Sequence, residues 1–211
     1  MVRIKLCGVT RLDDALRAVD LGIDVIGFNF VGDSPRRIDP QSAASIAARL
    51  PAFVLRVGVF ADEPHASLCD TARKARIHCI QFHGEEAPEE CAAAPLPWYK
   101  AHRPGPGFDL ADLERYDSST SLLDACRPGL RGGTGRTGDW DLARRASAVR
   151  RVILAGGLNP DNIAAAVRAV RPYAVDVNSG VESAPGHKDG ELLARLVARV
   201  AAAAGEGGRV P

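Results

Sequence analysis

No stretch of this chain carries the roughly 18 to 20 consecutive apolar residues that span a bilayer, which leaves a membrane-embedded function without support. Net charge is nearly absent too: 27 lysines and arginines meet 26 aspartates and glutamates, for a formal +1. So small an imbalance gives no electrostatic reason to expect nucleic acid or an anionic membrane as partner. Aromatic residues make up only 5% of the sequence, too few for the stacking platforms that hold single-stranded nucleic acid. The five cysteines, Cys7, Cys69, Cys79, Cys91 and Cys126, are odd in number and include no C-x-x-C pair. That argues against a disulfide framework or a zinc knuckle and fits a reducing cytoplasm. Nor does any pair of His, Asp or Glu residues at i, i+4 suggest a metal, so none is expected. Residues Met1-Val2-Arg3-Ile4-Lys5 lack the basic-then-apolar plan of a signal peptide. What is present is the composition of an ordinary soluble globule, 46% hydrophobic and 25% charged. Its 211 residues suffice for one well-buried domain and are too few for two comfortable ones.

Short β-rich runs alternate with helical patterns almost from end to end. Strands are expected near Val2–Cys7, Val25–Phe30, Val54–Phe60, Cys79–Phe82, Trp98–Ala101, Ser121–Asp124, Val152–Ala155 and Ala174–Val177. Between them fall helical segments at Arg11–Leu21, Pro40–Leu50, His65–Ala75, Leu142–Ala148, Asn159–Val170 and Gly190–Ala203. Such alternation calls for a parallel sheet with helices outside it. Eight units in this length average roughly 26 residues each, which suits a compact α/β protein of the single-domain (β/α)8 TIM-barrel class. An internal echo agrees: Arg3-Ile-Lys-Leu-Cys-Gly resembles Arg151-Val-Ile-Leu-Ala-Gly, although a doubly wound sheet could show the same repeat. The barrel is expected to occupy 1–203. The Gly/Ala-rich remainder, 204–211, reads as a frayed tail.

Side chains at the carboxyl ends of barrel strands face the loops where chemistry is done. Cys7 closes the first strand, Gly8 permits a sharp exit, and Thr10 can cap a helix that starts with Asp13-Asp14. A free cysteine is more often a small buried apolar residue than a reactive one, but a cationic or dipolar neighbour would make this thiol a base. Arg36 follows the second strand and offers a planar fork suited to a carboxylate, whereas Arg37 reads as solvated surface charge. His83 closes the fourth strand as either a polar substrate contact or a satisfied pocket residue. Asp124 ends the sixth after Leu122-Leu123; drawn out of water, a carboxyl there holds a proton for delivery, and a capping or salt-bridging role is the alternative. Gly156-Gly157 after the seventh strand and Ser179-Gly180 after the eighth leave backbone N–H groups open, with a helix start behind them. Barrels commonly bind phosphate at these last two strands. Gly132-Gly133-Thr134-Gly135 has no following Lys-Ser/Thr, so it reads as a flexible element packing over the site rather than a P-loop. His65, His78, His102 and His187 have no partner spacing and read as surface or structural.

Taken in order, Lys5-Leu-Cys-Gly-Val-Thr, Gly27-Phe-Asn-Phe, Ser34-Pro-Arg-Arg-Ile, Val57-Gly-Val-Phe, Gln81-Phe-His-Gly-Glu and Leu122-Leu-Asp resemble the phosphoribosylanthranilate isomerase family of tryptophan biosynthesis. So do Gly132-Gly-Thr-Gly, Asp139-Trp, Leu154-Ala-Gly-Gly-Leu-Asn-Pro, Asp176-Val-Asn-Ser-Gly-Val-Glu and Pro185-Gly-His-Lys-Asp. The resemblance runs from about Val2 to the final helix, and it is the order of the motifs that makes it specific. It implies the Amadori rearrangement of N-(5-phosphoribosyl)anthranilate to 1-(o-carboxyphenylamino)-1-deoxyribulose 5-phosphate, with Asp124 as general acid and Cys7 as general base. It places Arg36 on the anthranilate carboxylate and Gly156, Gly157, Ser179 and Gly180 on the phosphate, with His83 and Asp176 as further substrate contacts. No cofactor is implied, because the chemistry is internal proton transfer. The expected partner is a small phosphosugar, and the expected assembly a monomer or weak homodimer in the cytoplasm. Val31-Gly32-Asp33, Gly138 and Asn178 depart from the family's usual residues, none of them at the acid, the base or the phosphate glycines. A histidine-pathway isomerase on the same barrel would use an aspartate pair, so Cys7 favours the anthranilate substrate. A non-catalytic phosphometabolite binder need not keep both Cys7 and Asp124.

Overall fold

A computed structural model describes residues 2–105, 107–124 and 140–206. Eight parallel strands close into a barrel in strict sequence order. They are β1 (Arg3–Leu6), β2 (Val25–Asn29), β3 (Leu55–Phe60), β4 (Cys79–Phe82), β5 (Trp98–His102), β6 (Thr120–Asp124), β7 (Arg151–Ala155) and β8 (Ala174–Val177). Closure is made by β1, whose Lys5 stands opposite Val25 of β2 on one side and Asp176 of β8 on the other. Around the barrel run α1 (Leu12–Asp20), α2 (Pro40–Ala47), α3 (His65–Lys74), α4 (Pro88–Ala92), α5 (Ala111–Glu114), α6 (Trp140–Val149), α7 (Ile163–Val170) and α8 (Gly190–Glu206). The expected TIM barrel is therefore the observed fold.

Two apolar regions hold it. Outward residues such as Leu6, Ile26, Phe28, Ile80, Leu123 and Leu154 are sealed under the helices, together with Ile163, Leu193 and Leu196 from α7 and α8. Inward residues Val57, Tyr99, Leu122, Ile153 and Ala174 fill the barrel itself. The two-residue period of each strand sorts its side chains between these layers. Arg3 and Arg151, which open the echoed units, both lie over the Tyr173 ring, at 4.6 and 5.7 Å from its centre. The echo thus marks two strands whose first residues share one aromatic support.

Several local expectations change. Thr10 does not cap α1: Arg11 occupies the N-cap without a side-chain bond, and the Thr10 hydroxyl donates to the Gly186 carbonyl at 2.7 Å. The Asx-type cap is found at α2 instead, where Asp39 accepts from the amides of Gln41 and Ser42 and Pro40 takes the first helical position. α4 is too short for a helical period to mark it. The hairpin of β9 (Glu182–Ala184) and β10 (His187–Lys188) interrupts the step from β8 to α8 and was likewise without a periodic signal. α8 continues through Ala201–Ala204 to Glu206, as the high helix propensity of alanine favours.

Candidate active site

At the carboxyl ends of the strands lies a cavity of about 540 Å³, in the size range of small-molecule sites. Cys7, His83, Asp124, Asp176, Gly156, Gly157, Ser179 and Gly180 all line it. Residues up to 173 positions apart in sequence are thus brought together as the strand-end reading expects, since Cys7 and Gly180 share this cavity. Arg36 is the exception, flanking the cavity rather than lining it. Gly132–Gly135, Gly138 and Cys126 lie outside the described residues.

The thiol is set by backbone. The Cys7 amide donates to the Val177 carbonyl at 2.8 Å and the Val9 amide to the Gly27 carbonyl at 3.0 Å, pinning the turn after β1 to both neighbouring strands. Gly8 between them has φ +66°, and a Cβ there would lie 2.8 Å from Arg36 Cδ and 2.9 Å from Asn178 Oδ1. Only glycine lets those two side chains close over the turn. Burial pushes the Cys7 thiol up, as does the nearby Asp176 carboxylate, while the Lys5 and Lys188 ammonium groups draw it down. Lys5 Nζ donates to Asp176 Oδ2 at 2.6 Å, with both side chains buried. Although burial alone would discharge Lys5, Asp176 and the Cys7 thiol outweigh it and hold the amine well above its ordinary range.

Arg36 is gripped sideways. Its Nε donates to both oxygens of Glu182, at 2.9 and 3.0 Å, and its Nη2 to Oε2 at 2.6 Å. The other Glu182 oxygen accepts from Lys188 Nζ at 2.7 Å, and Lys188 also reaches Asn178 Oδ1 at 2.9 Å. Against the effect of burial, Arg36 and Lys188 hold the Glu182 carboxyl below its usual range. Two cations thus share one anion beside the cavity. Upstream, Asn29 Nδ2 donates to Ser34 Oγ, which in turn accepts from the Arg36 amide. The loop with Val31-Gly32-Asp33 is therefore tied down at both ends. Glu182 and Lys188 belong to two of the motifs read from sequence, but only the β9–β10 hairpin reveals what they hold.

His83 receives a different setting. Tyr99 OH donates to Gln81 Oε1 at 2.9 Å, so the Gln81 amide is left to donate to His83 Nδ1 at 3.0 Å. That network assigns the proton to Nε2 of the imidazole. Burial, with Arg103, Lys5 and Lys100 nearby, lowers His83 to about 4, so the ring is neutral near pH 7. His102 is a structural residue, as read: it is buried with edge-on contacts to Phe108 and Tyr116.

The glycine side is built from two turns in contact. Gly156 and Gly157 take φ of +100° and +62°, which side chains resist. Asn162 Nδ2 and Asn159 Nδ2 both donate to the Gly157 carbonyl, at 2.9 and 3.3 Å, and fix that turn. Gly180 sits in the 3₁₀ turn Ser179–Val181, against the Leu158 carbonyl. The helix expected directly behind Gly157 is displaced: α7 begins at Ile163, because Leu158 to Asn162 form the side-chain-bonded turn instead. Turn residues, rather than a helix terminus, therefore line the cavity after β7. Among the described residues no three His, Cys, Asp or Glu side chains cluster to hold a metal ion. No helix among them is long and apolar enough to cross a membrane.

A closed (β/α)8 barrel with a thiol, carboxyl groups and a glycine-built cradle in one mouth is the framework of an acid–base enzyme acting on a small anionic substrate. Which enzyme family follows from comparison. Residues 4–199 match the family model described as N-(5'phosphoribosyl)anthranilate (PRA) isomerase. The N-(5'-phosphoribosyl)anthranilate isomerase of Geobacter metallireducens is 49% identical over 202 residues, covering 96% of this chain and all of the relative. That of Pelobacter propionicus is 48% identical over 197 residues, covering 93% and 94%. Among solved structures, the isomerase from Thermus thermophilus superposes with a TM-score of 0.86 at 42% identity, covering 95% of this chain and 99% of that one. A phosphoribosyl anthranilate isomerase in complex with reduced 1-(o-carboxyphenylamino)-1-deoxyribulose 5-phosphate gives 0.82 at 37% identity, covering 96% and 100%. The chain belongs to the phosphoribosylanthranilate isomerase family, the isomerases of tryptophan biosynthesis.

Proposed function

We propose that this chain catalyses the Amadori rearrangement of N-(5-phosphoribosyl)anthranilate to 1-(o-carboxyphenylamino)-1-deoxyribulose 5-phosphate, with Asp124 as general acid and Cys7 as general base. The observation that carries the assignment is that both side chains line one cavity, which the glycine turns line as well. Asp124 gives a proton to the ribose ring oxygen as the C1′–O bond breaks, and the nitrogen lone pair makes the open-chain iminium. The Cys7 thiolate then takes the C2′ proton, and the electron pair left behind neutralises the iminium as an enolamine. Tautomerisation moves the enol proton to C1′ and leaves the 2′-ketone. Each step is a proton transfer balanced within enzyme and substrate, so no cofactor enters.

Binding divides the substrate. Open amides of Gly156, Gly157, Ser179 and Gly180 take the phosphate. Arg36, with Nε and Nη2 engaged by Glu182, turns its remaining Nη1 edge to the anthranilate carboxylate. The Nε2–H of neutral His83 and the carboxylate of Asp176 hold the ribose between them. Anchoring both ends fixes the reacting carbons against acid and base, which is positional catalysis. The reading includes a cytoplasmic enzyme with no nucleic-acid partner, acting as a monomer or weak homodimer; one relative, the phosphoribosylanthranilate isomerase of Thermotoga maritima, is dimeric.

Turnover followed by loss of substrate fluorescence tests the roles. Cys7→Ser and Asp124→Asn should each lower kcat by about a hundredfold or more. Near-wild-type rates in both variants would overturn the assignment.

A further inference from the structure

We propose that Lys5 is a positioning residue for catalysis, its buried ammonium favouring, against burial and Asp176, the anionic form of Cys7 that the base requires. The inference rests on the reading of Cys7 as that base. Lys5 points into the barrel two residues before the thiol, and among the described residues its only charged partner within bonding distance is Asp176, at 2.6 Å. The barrel interior is otherwise filled by an apolar cluster that includes Val57, Tyr99, Leu122, Ile153 and Ala174. A buried ion pair in such surroundings is a poor stabilising device, since apolar side chains of similar volume commonly do as well or better. Its position explains it. A Cβ placed on Gly27 would stand 3.1 Å from both Cys7 Sγ and Lys5 Cε, so sulfur and lysine stem face each other across one small gap that glycine keeps open. The ammonium there attracts the thiolate across that gap.

Asp176 keeps the cation in place through one oxygen. Its Oδ1 has no hydrogen-bond partner among the described residues, and the residue lines the cavity. Other charges facing the thiol come from separate elements. Asp176 on β8 opposes ionisation; Lys188 on β10 favours it, and Arg36 beyond β2 interacts favourably with the same thiolate. Lys188 and Arg36, however, are both bound to Glu182. Tyr99 on β5 faces Lys5, and Asp124 on β6 faces Asp176. Of the three cations, Lys5 is the one two residues from the thiol in the chain, and it pairs with Asp176 instead of Glu182.

The test titrates Cys7 directly by its rate of alkylation with iodoacetamide between pH 6 and 10, with Cys7→Ser as the blank for the other thiols. In Lys5→Met the titration midpoint should rise by at least about one unit, which is a tenfold slower alkylation at a fixed pH below it. Lys5→Gln keeps a donor for Asp176 without the charge and carries the same expectation if Lys5→Met does not fold. Lys5→Arg should recover most of the lost reactivity. The acid limb of the kcat/KM profile should move with the thiol midpoint, with kcat falling and KM held within about threefold. A purely structural role for Lys5 would leave both profiles where they are. An unmoved midpoint in folded Lys5→Gln would overturn the proposal. Retained turnover in Cys7→Ser would instead remove Cys7 as the base, a failure that the alkylation midpoint does not register.

Discussion

Gly180→Ala tests the glycine side of the cavity with a cost that can be worked from geometry. The added Cβ would lie 1.9 Å from the Leu158 carbonyl oxygen and 2.8 Å from its carbon, where ordinary contact is 3.4–4 Å. Both obstacles are backbone, so no side-chain rotation relieves them. Either the turn after β7 or the 3₁₀ turn after β8 must retreat by on the order of 1 Å, a displacement that in an active site costs about a hundredfold. Those two turns supply the amides proposed for the phosphate, so the loss should fall on KM, with a smaller change in kcat. Overpacking of this kind also costs about 1–3 kcal/mol of stability, which for a chain of this size lowers the melting temperature by roughly 2–4 °C per kcal/mol. Initial rates across substrate concentration, with a thermal melt to show that the variant is folded, measure both effects. A folded variant whose KM stays within threefold of wild type would refute the placement of the phosphate on these turns.

Glu182→Gln should raise KM by about tenfold with kcat little changed, since one charge-assisted grip on Arg36 is weakened by on the order of 1.5 kcal/mol. A substrate analogue lacking the anthranilate carboxylate should show no such difference between the two proteins; an equal loss for both substrates would separate Glu182 from carboxylate recognition. His102 reports on acid stability. Burial, with Lys100 and Arg150 nearby, lowers its folded-state pKa to about 4, against about 6.5 when unfolded. The neutral ring therefore contributes stability above pH 6.5 that is lost as the pH falls toward 4, because the unfolded chain takes up the proton first. Between pH 6.5 and 5 that amounts to about 2 kcal/mol, so His102→Asn should shrink the melting-temperature drop over this interval by roughly 4–8 °C. An undiminished drop would place the acid sensitivity elsewhere.

The barrel was legible in the sequence because each strand is a short β-rich run followed by a helix start, and those signals are local. The ends of β3, β4, β6, β7 and β8 follow from the same runs, which is why Asp124 and the glycines could be placed at one rim from sequence. Turn chemistry was less legible. Thr10 has the composition of a helix cap, yet its hydroxyl serves Gly186, which lies 176 residues away. α4 and the β9–β10 hairpin are shorter than any hydrophobic period, so only packing defines them. The partners around the thiol were beyond reach for a stronger reason. Lys5 with Asp176 and Arg36 with Glu182 are separated by 171 and 146 residues, and nothing local couples them. Closing the barrel sets β8 beside β1 and carries the hairpin over the turn at Gly8. Sequence alone determined which chemical groups stand at the strand ends; ring closure decided which of them meet, because charge pairing acts over a few ångströms and only the tertiary fold sets those distances.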